Sequence, residues 1–332
     1  VSVTRWAVLG TGQIAGVFAD ALAPVADAEI VAVASTDAAR ARPFADAHGI
    51  AGAGTHAEVL ARSDVDAVYV AGVHTTHADL ATAALRAGRP VLCEKPLAPS
   101  AARTAEVLAV AAETGLPVVE AYKYRFTPVA DALRATITSG RIGAVRSVRA
   151  SFGFVSPTRT GRLWDPALAG GAIYDVGGYP VSLAVAVARW AGVAGDDLRI
   201  AHAEGSLVRR TGVDKRARAV LGAPGFEAHV EAAITRSLTR AVTIEGEAGT
   251  IHAEDGWGTR GVSARSFEIR VGADVERVEV PVVNAFAAEA AALAGAATAG
   301  VLEAAGMPWA DTRTTARLLD AWRAALVPPA AG

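Results

Sequence analysis

The sequence predicts an α/β domain built on a doubly wound parallel sheet, followed by an α+β domain with an open, mostly antiparallel sheet. Three observations carry this reading. Short apolar runs alternate with helix-length segments up to about residue 122, and the runs are apolar at nearly every position. Beyond that point most strand-like segments alternate apolar and polar residues instead.

The apolar runs fall at residues 6–9, 30–34, 67–71, 90–93 and 117–120 and are rich in Val, as strands buried on both faces must be. Between them, 14–23, 38–48, 76–87 and 101–113 have helical length and spacing. Gly88, Gly115 and Pro117 punctuate their ends. Strand–helix alternation of this kind implies right-handed crossovers. The second half opens with a helix at 128–139 and continues in strand-like segments at 145–154, 200–209, 217–221, 228–235, 241–245 and 267–271. Glu227, His229 and Glu231 share one face there, and Ala228 and Val230 the other. Helices are expected at 173–190, 285–305 and 311–325. The expected domains are 1–122 and 123–332.

At about 100–200 residues per domain, 332 residues suffice for two. Lys and Arg number 32 against 34 Asp and Glu, a formal charge of −2. That balance argues against a nucleic-acid or polybasic membrane-surface partner. The basic residues Arg209, Arg210, Lys215, Arg216 and Arg218 are broken by Gly212 and Asp214 and read as a hairpin with a solvated face. The single Cys93 excludes an internal disulfide and a Cys-based zinc site, and His202, His229 and His252 lack ligand spacing, so no metal is expected. No uncharged stretch exceeds 14 residues, short of the roughly 20 that span a bilayer. With no signal-peptide pattern at the N-terminus, a cytoplasmic protein is expected.

Gly10-Thr11-Gly12-Gln13-Ile14-Ala15 joins the first strand to the first helix. Gly10 permits the tight turn, Gly12 lets backbone approach a pyrophosphate, and Ala15 keeps helix and sheet close. The helix N-terminus, with Gln13 and Ile14, then offers free N–H groups to the phosphates. This is the fingerprint of a Rossmann-type dinucleotide site. An acid commonly follows the second strand to bind a ribose hydroxyl, but here Ser35 and Thr36 stand there, with Asp37 beyond. Small hydroxyls leave room for a 2′-phosphate that Arg40 can reach, while Asp37 equally serves as a helix N-cap. The reading favours NADP slightly over NAD.

Ligands of such sheets bind beyond the carboxyl ends of the strands. Two strand ends there are polar: Gly72-Val73-His74-Thr75-Thr76-His77, and Cys93-Glu94-Lys95-Pro96. A Glu–Lys pair at the edge of a buried sheet is costly unless paired or used.

Together, the glycine turn and Val-Leu-Cys-Glu-Lys-Pro-Leu-Ala at 91–98 resemble the Gfo/Idh/MocA oxidoreductases of sugars and polyols. The likeness continues through Glu-Ala-Tyr-Lys-Tyr-Arg-Phe at 120–126, Ser-Gly-Arg-Ile-Gly at 139–143 and Arg-Leu-Trp-Asp-Pro at 162–166. It resumes at Gly-Gly-Ala-Ile-Tyr-Asp-Val-Gly-Gly-Tyr-Pro, 170–180, and at Met307-Pro308-Trp309. The branch most resembled holds dimeric dihydrodiol dehydrogenases and NADP-dependent xylose dehydrogenases, which carry Tyr at the position of Tyr179. The resemblance implies that Lys95 contacts the nicotinamide ribose and the reacting oxygen, and that Gly72, His74, His77 and Glu94 lie near the cofactor. It also places Arg125 and Phe126 near the substrate, with Trp164 as a wall on which a sugar stacks. By residue type alone, Arg125 is equally an ion-pair partner and Trp164 equally packing.

Oxidising an alcohol needs a group that takes the hydroxyl proton, and reduction needs it returned. Tyr179 suits this task if Lys95 lowers its pKa from near 10. Asp175, four residues earlier on the same helix face, is expected to accept a substrate hydroxyl and tune Lys95. The expected enzyme is thus an NAD(P)-dependent oxidoreductase of a sugar, cyclic polyol or dihydrodiol. Alternatives are an NAD-dependent glycosidase of the same fold and a non-catalytic sugar sensor. Two departures from the family stand out: Gly72-Val73 replaces its usual Thr/Ser–Pro pair, and Thr36 replaces an Arg common in NADP-selective relatives. An exposed face and edges on the second sheet predict a homodimer or homotetramer.

Overall fold

A computed structural model describes residues 3–258 and 262–326. The first sheet has the order β3-β2-β1-β4-β5-β6 and is parallel throughout. Its strands are β1 (Thr4–Leu9), β2 (Ala28–Ser35), β3 (Gly52–Thr55), β4 (Ala67–Val70), β5 (Val91–Glu94) and β6 (Val118–Ala121). The crossovers carry α1 (Gln13–Leu22), α2 (Ala38–Ala47), α3 (His56–Leu60), α4 (His77–Arg86) and α5 (Ala101–Thr114). Successive residues of β1 enter different cores: Trp6 and Val8 pack with Phe18 and Tyr69, whereas Ala7 and Leu9 pack with Val68 and Val91. All four are at most 1% exposed, which is why the run shows no alternation.

The strand order reverses between β1 and β4, so their carboxyl ends diverge and leave a crevice for a ligand. Two elements here escape the sequence reading. Strand β3 is Gly-Ala-Gly-Thr, with almost no apolar signal, and α3 is a single capped turn in which Thr55 and Glu58 form a reciprocal capping box.

After α6 (Pro128–Thr138) the second sheet runs β14-β13-β12-β11-β7-β10-β9-β8. It comprises β7 (Val145–Gly153), β8 (Arg199–Leu207), β9 (Asp214–Ala223), β10 (Phe226–Ala233), β11 (Val242–Gly246), β12 (Gly249–Ala253), β13 (Ser266–Val271) and β14 (Asp274–Glu279). Only β7 and β10 pair in parallel. Strands β12 and β14 were not expected. Edge strand β14 is exposed at nearly every position and so carries no buried face to read.

The long α7 (Gly178–Trp190), preceded by a π turn at Ile173–Gly177, packs on the sheet's apolar face together with α9 (Trp309–Ala325). The helical stretch Pro166–Trp190 is long and apolar enough to cross a membrane, but 94% of its apolar window lies inside the protein. Helix α8 (Ala285–Ala299) ends at Gly300, with φ +66°, rather than at 305. It leaves the second sheet: Phe286, Ala290 and Leu293 join Phe18 and Tyr69 in the core of the first. Chain from the expected second domain therefore completes the first sheet's packing.

Candidate active site

The turn between β1 and α1 sets one end of a cleft of about 870 Å³. Gly10 has φ +131°, and a Cβ there would lie 2.5 Å from the Ala71 carbonyl oxygen. A Cβ on Gly12 would meet nothing within 4 Å, because that position faces the open cleft. No side chain caps α1 and no acid lies in its first turn, so its leading N–H groups are available to an anion. Gln13 and Ile14 line the same end.

Ser35, Thr36 and Arg40 line the cleft beyond β2. Asp37 is used by its own helix: Oδ1 accepts the Ala39 N–H at 2.8 Å. No carboxylate therefore follows Ser35 into the cleft from this turn, and Arg40 forms no ion pair among the described residues. These features fit a nicotinamide dinucleotide with its pyrophosphate on α1 and a 2′-phosphate beside Arg40.

Gly72, His74 and His77 form the middle wall. His77 ties two loops together through the carbonyls of Pro96 (2.8 Å) and Gly72 (3.1 Å), and burial lowers its pKa against the pull of those carbonyls. Burial and the neighbouring Lys95 push His74 down to about 3, so it is neutral and Nδ1 donates to the Ala169 carbonyl at 3.2 Å. A Cβ on Gly72 would collide with Thr76 Oγ1, whose hydroxyl donates to the Val73 carbonyl, so this tight turn replaces the Thr/Ser–Pro pair.

At the inner end stand Glu94, Lys95 and Tyr179. Glu94 accepts the Tyr69 hydroxyl at 2.7 Å and the Lys95 N–H at 3.2 Å. Lys95 Nζ donates to the Asp175 backbone carbonyl at 2.7 Å and sits 5.5 Å from the Tyr179 ring centroid. The Asp175 carboxylate itself pairs with Arg162 at 2.9 Å. Burial alone would raise its pKa, but Lys95, Arg162 and His74 outweigh that and hold it below the usual range. Asp175 thus meets Lys95 through its main chain rather than its side chain.

Tyr179 departs from expectation in the opposite sense. Burial, then Glu94, Glu289 and Asp175, pushes its phenol well above the ordinary value of 10. The Lys95 ammonium lies over the ring, and acidic side chains dominate its electrostatics, so Lys95 does not lower this pKa as expected. A phenol so held stays protonated at neutral pH.

Of the four expected substrate residues, Asp175 meets the cleft only through Lys95 and Arg162, and the other three lie away from it. Arg125 is fully buried, paired with Asp311 at 2.6 Å and donating to the Ser182 carbonyl at 2.8 Å. Phe126 packs against Gly306, where a Cβ would lie 2.7 Å from its ring. Trp164 Nε1 donates to Ser156 Oγ at 3.3 Å, and Arg159 covers its ring. In their place the cleft takes Lys123, Arg162 and Phe286. The first two lie in the motif runs at 120–126 and 162–166, where neighbouring residues attracted the assignment. Phe286 arrives from α8, and no local pattern signals it.

Residues 4–122 match the oxidoreductase family with an NAD-binding Rossmann fold, and residues 130–252 match the GFO/IDH/MocA C-terminal domain. The chain belongs to the GFO/IDH/MocA oxidoreductase family. It is 34% identical to the trans-1,2-dihydrobenzene-1,2-diol dehydrogenase of Xenopus tropicalis over 75% of this chain and 74% of that protein. It is 41% identical to the D-xylose 1-dehydrogenase (NADP(+)) 2 of Haloferax volcanii, over 53% of this chain and 55% of that one. Among solved structures it resembles KijD10, a 3-ketoreductase from Actinomadura kijaniata in complex with NADP and TDP-benzene. The TM-score is 0.85 at 27% identity over 98% of both chains. The chain is accordingly an NAD(P)-dependent oxidoreductase of this family.

Proposed function

We propose that this enzyme interconverts a C–OH and a C=O centre on a sugar, cyclic polyol or dihydrodiol, with NADP as the preferred cofactor. A bound nicotinamide supplies or accepts the hydride. Tyr179 exchanges the proton with the substrate oxygen, and Lys95 orients that oxygen and stabilises the charge growing on it. Asp175 anchors Lys95 through its carbonyl and holds Arg162 at the mouth of the cleft. The observation that carries this reading is the inner end of the cleft itself, where the Lys95 ammonium, fixed by Asp175, lies against Tyr179. A phenol kept protonated suits carbonyl reduction, because it has a proton to give. Ser35, Thr36 and Arg40 support NADP, as do the NADP-named relative and the NADP-bound neighbour.

The test compares Tyr179→Phe with Lys95→Ala, measuring NADPH binding and turnover over a panel of keto-sugars and aldoses. Tyr179→Phe is expected to bind NADPH normally and to lose roughly 10²- to 10⁴-fold in kcat. Near-full turnover in Tyr179→Phe, with Lys95→Ala inactive, would transfer the proton-donor role to Lys95.

A further inference from the structure

The scheme above leaves one buried cation without a task. Lys123 lies in the turn after β6 and lines the inner end of the cleft, yet the residue is only 9% exposed. Its ammonium sits 5.9 Å from the Tyr179 ring centroid and 5.8 Å from that of Phe286. Nζ donates to the Trp257 carbonyl at 3.1 Å and forms no ion pair among the described residues. An ammonium has three protons to donate, so one carbonyl leaves most of its capacity unused. Burial in such a setting is costly unless an acceptor arrives.

Burial lowers the Lys123 pKa, and Glu289, Glu94 and Asp255 oppose that shift only in part. Glu289 of α8 is completely buried, and neither carboxyl oxygen has a hydrogen-bond partner among the described residues. Burial and Glu94 push its pKa well above the ordinary value, against the pull of Lys123, which favours the neutral acid. Lining this end of the cleft are three cations, Lys95, Lys123 and Arg162, and the acid Glu94, with Asp175 behind them. Lys95 is held by the Asp175 carbonyl and Arg162 by the Asp175 carboxylate. Lys123 is the cation left over, on the same ring that Lys95 approaches.

We propose that Lys123 is a specificity-determining residue that binds a carboxylate on the substrate, so that the enzyme acts on sugar acids in preference to neutral sugars. The proposal rests on the oxidoreductase reading above and narrows its substrate class. A hydroxyl would satisfy the spare donors but leave the positive charge standing. A carboxylate satisfies both, through charge-assisted hydrogen bonds. Both ammonium groups lie within 6 Å of the Tyr179 ring centroid and line the same cleft, so a group on Lys123 and a reacting oxygen beside Lys95 and Tyr179 belong to one pocket.

The experiment uses the full chain saturated with NADP⁺ and two matched probe pairs, D-glucuronate with D-glucose and D-galacturonate with D-galactose. Binding is read by calorimetry and oxidation by the appearance of NADPH. The wild type is expected to favour the acid in each pair by about tenfold or more, in both affinity and kcat/KM. Lys123→Met and Lys123→Gln should cut that preference by about 10- to 100-fold, while Lys123→Arg retains part of it. The Gln variant keeps hydrogen bonding without charge, and NADPH binding with circular dichroism confirms that each variant is folded. Wild-type preference for the neutral sugar, equal affinity within every pair, absence of acid binding, or an equal loss for both members in Lys123→Met and Lys123→Gln overturns the proposal. In all of these cases NADPH binding persists, so the oxidoreductase reading stands. Loss of nucleotide binding by the wild type would overturn that reading instead.

Discussion

Single residues divide by whether their chemistry is local. Lys95 and Tyr179 both line the cleft, where a Lys beside Pro96 at a strand end and a Tyr four residues after Asp175 are expected from the sequence. The place of Arg125 was not legible, because its partners Asp311 and Ser182 lie far along the chain and only tertiary packing brings them to it. The same packing creates a titratable site at Glu120. Burial raises its pKa from 4.5 to about 7, against the Leu97 N–H, which Oε1 accepts at 2.9 Å, and the more distant Arg125 and Lys95. A raised carboxyl pKa favours the protonated folded state, so its stabilising contribution is full below pH 4.5 and is lost as pH rises to about 7. Glu120→Gln removes that dependence. Urea midpoints should show the wild type losing on the order of 3 kcal/mol relative to the variant across that window. Parallel pH profiles for the two proteins would refute the assignment.

At the level of elements, strands with a strong burial pattern were readable and those without one were not. The continuous apolarity of β1 and β4 and the alternation of β9 and β10 each follow from the face or faces they bury. Strands β3 and β14 were invisible, one because it is half glycine and the other because it lies exposed at an edge. The glycine turn separates structural from functional need within three residues. Gly10→Ala adds a Cβ at φ +131° against the Ala71 carbonyl, so both thermal stability and NADPH affinity should fall. Gly12→Ala meets nothing in the protein, so its melting temperature should stay near that of the wild type while NADPH affinity drops at least about tenfold. Thermal melts paired with NADPH titrations separate the two. Unchanged affinity in Gly12→Ala would mean that the turn does not approach a pyrophosphate.

Over the whole molecule, the two sheets serve different ends. The first holds the cleft at its carboxyl edge, and the second leaves one broad face uncovered by helices. That face is polar: Arg149 pairs with Glu245 at 2.9 Å, Arg216 with Glu231 at 2.7 Å and Arg218 with Glu204 at 2.5 Å. We expect it to join a second copy of the chain through charged rather than apolar contacts, giving an assembly that loosens as salt rises. Sedimentation velocity should find a dimer or tetramer at low ionic strength that shifts toward monomer in molar salt. A monomer under both conditions would contradict this.

We assign to one cleft a nicotinamide dinucleotide that reaches from the glycine turn to the Lys95–Tyr179 pair, with room and charge for a 2′-phosphate beside Arg40. The most direct measurement titrates the purified protein with NADPH and with NADH, following nicotinamide fluorescence. Both nucleotides should bind saturably, NADPH the more tightly. Tighter NADH binding would remove the 2′-phosphate from Ser35, Thr36 and Arg40, and binding of neither nucleotide would contradict the assignment outright.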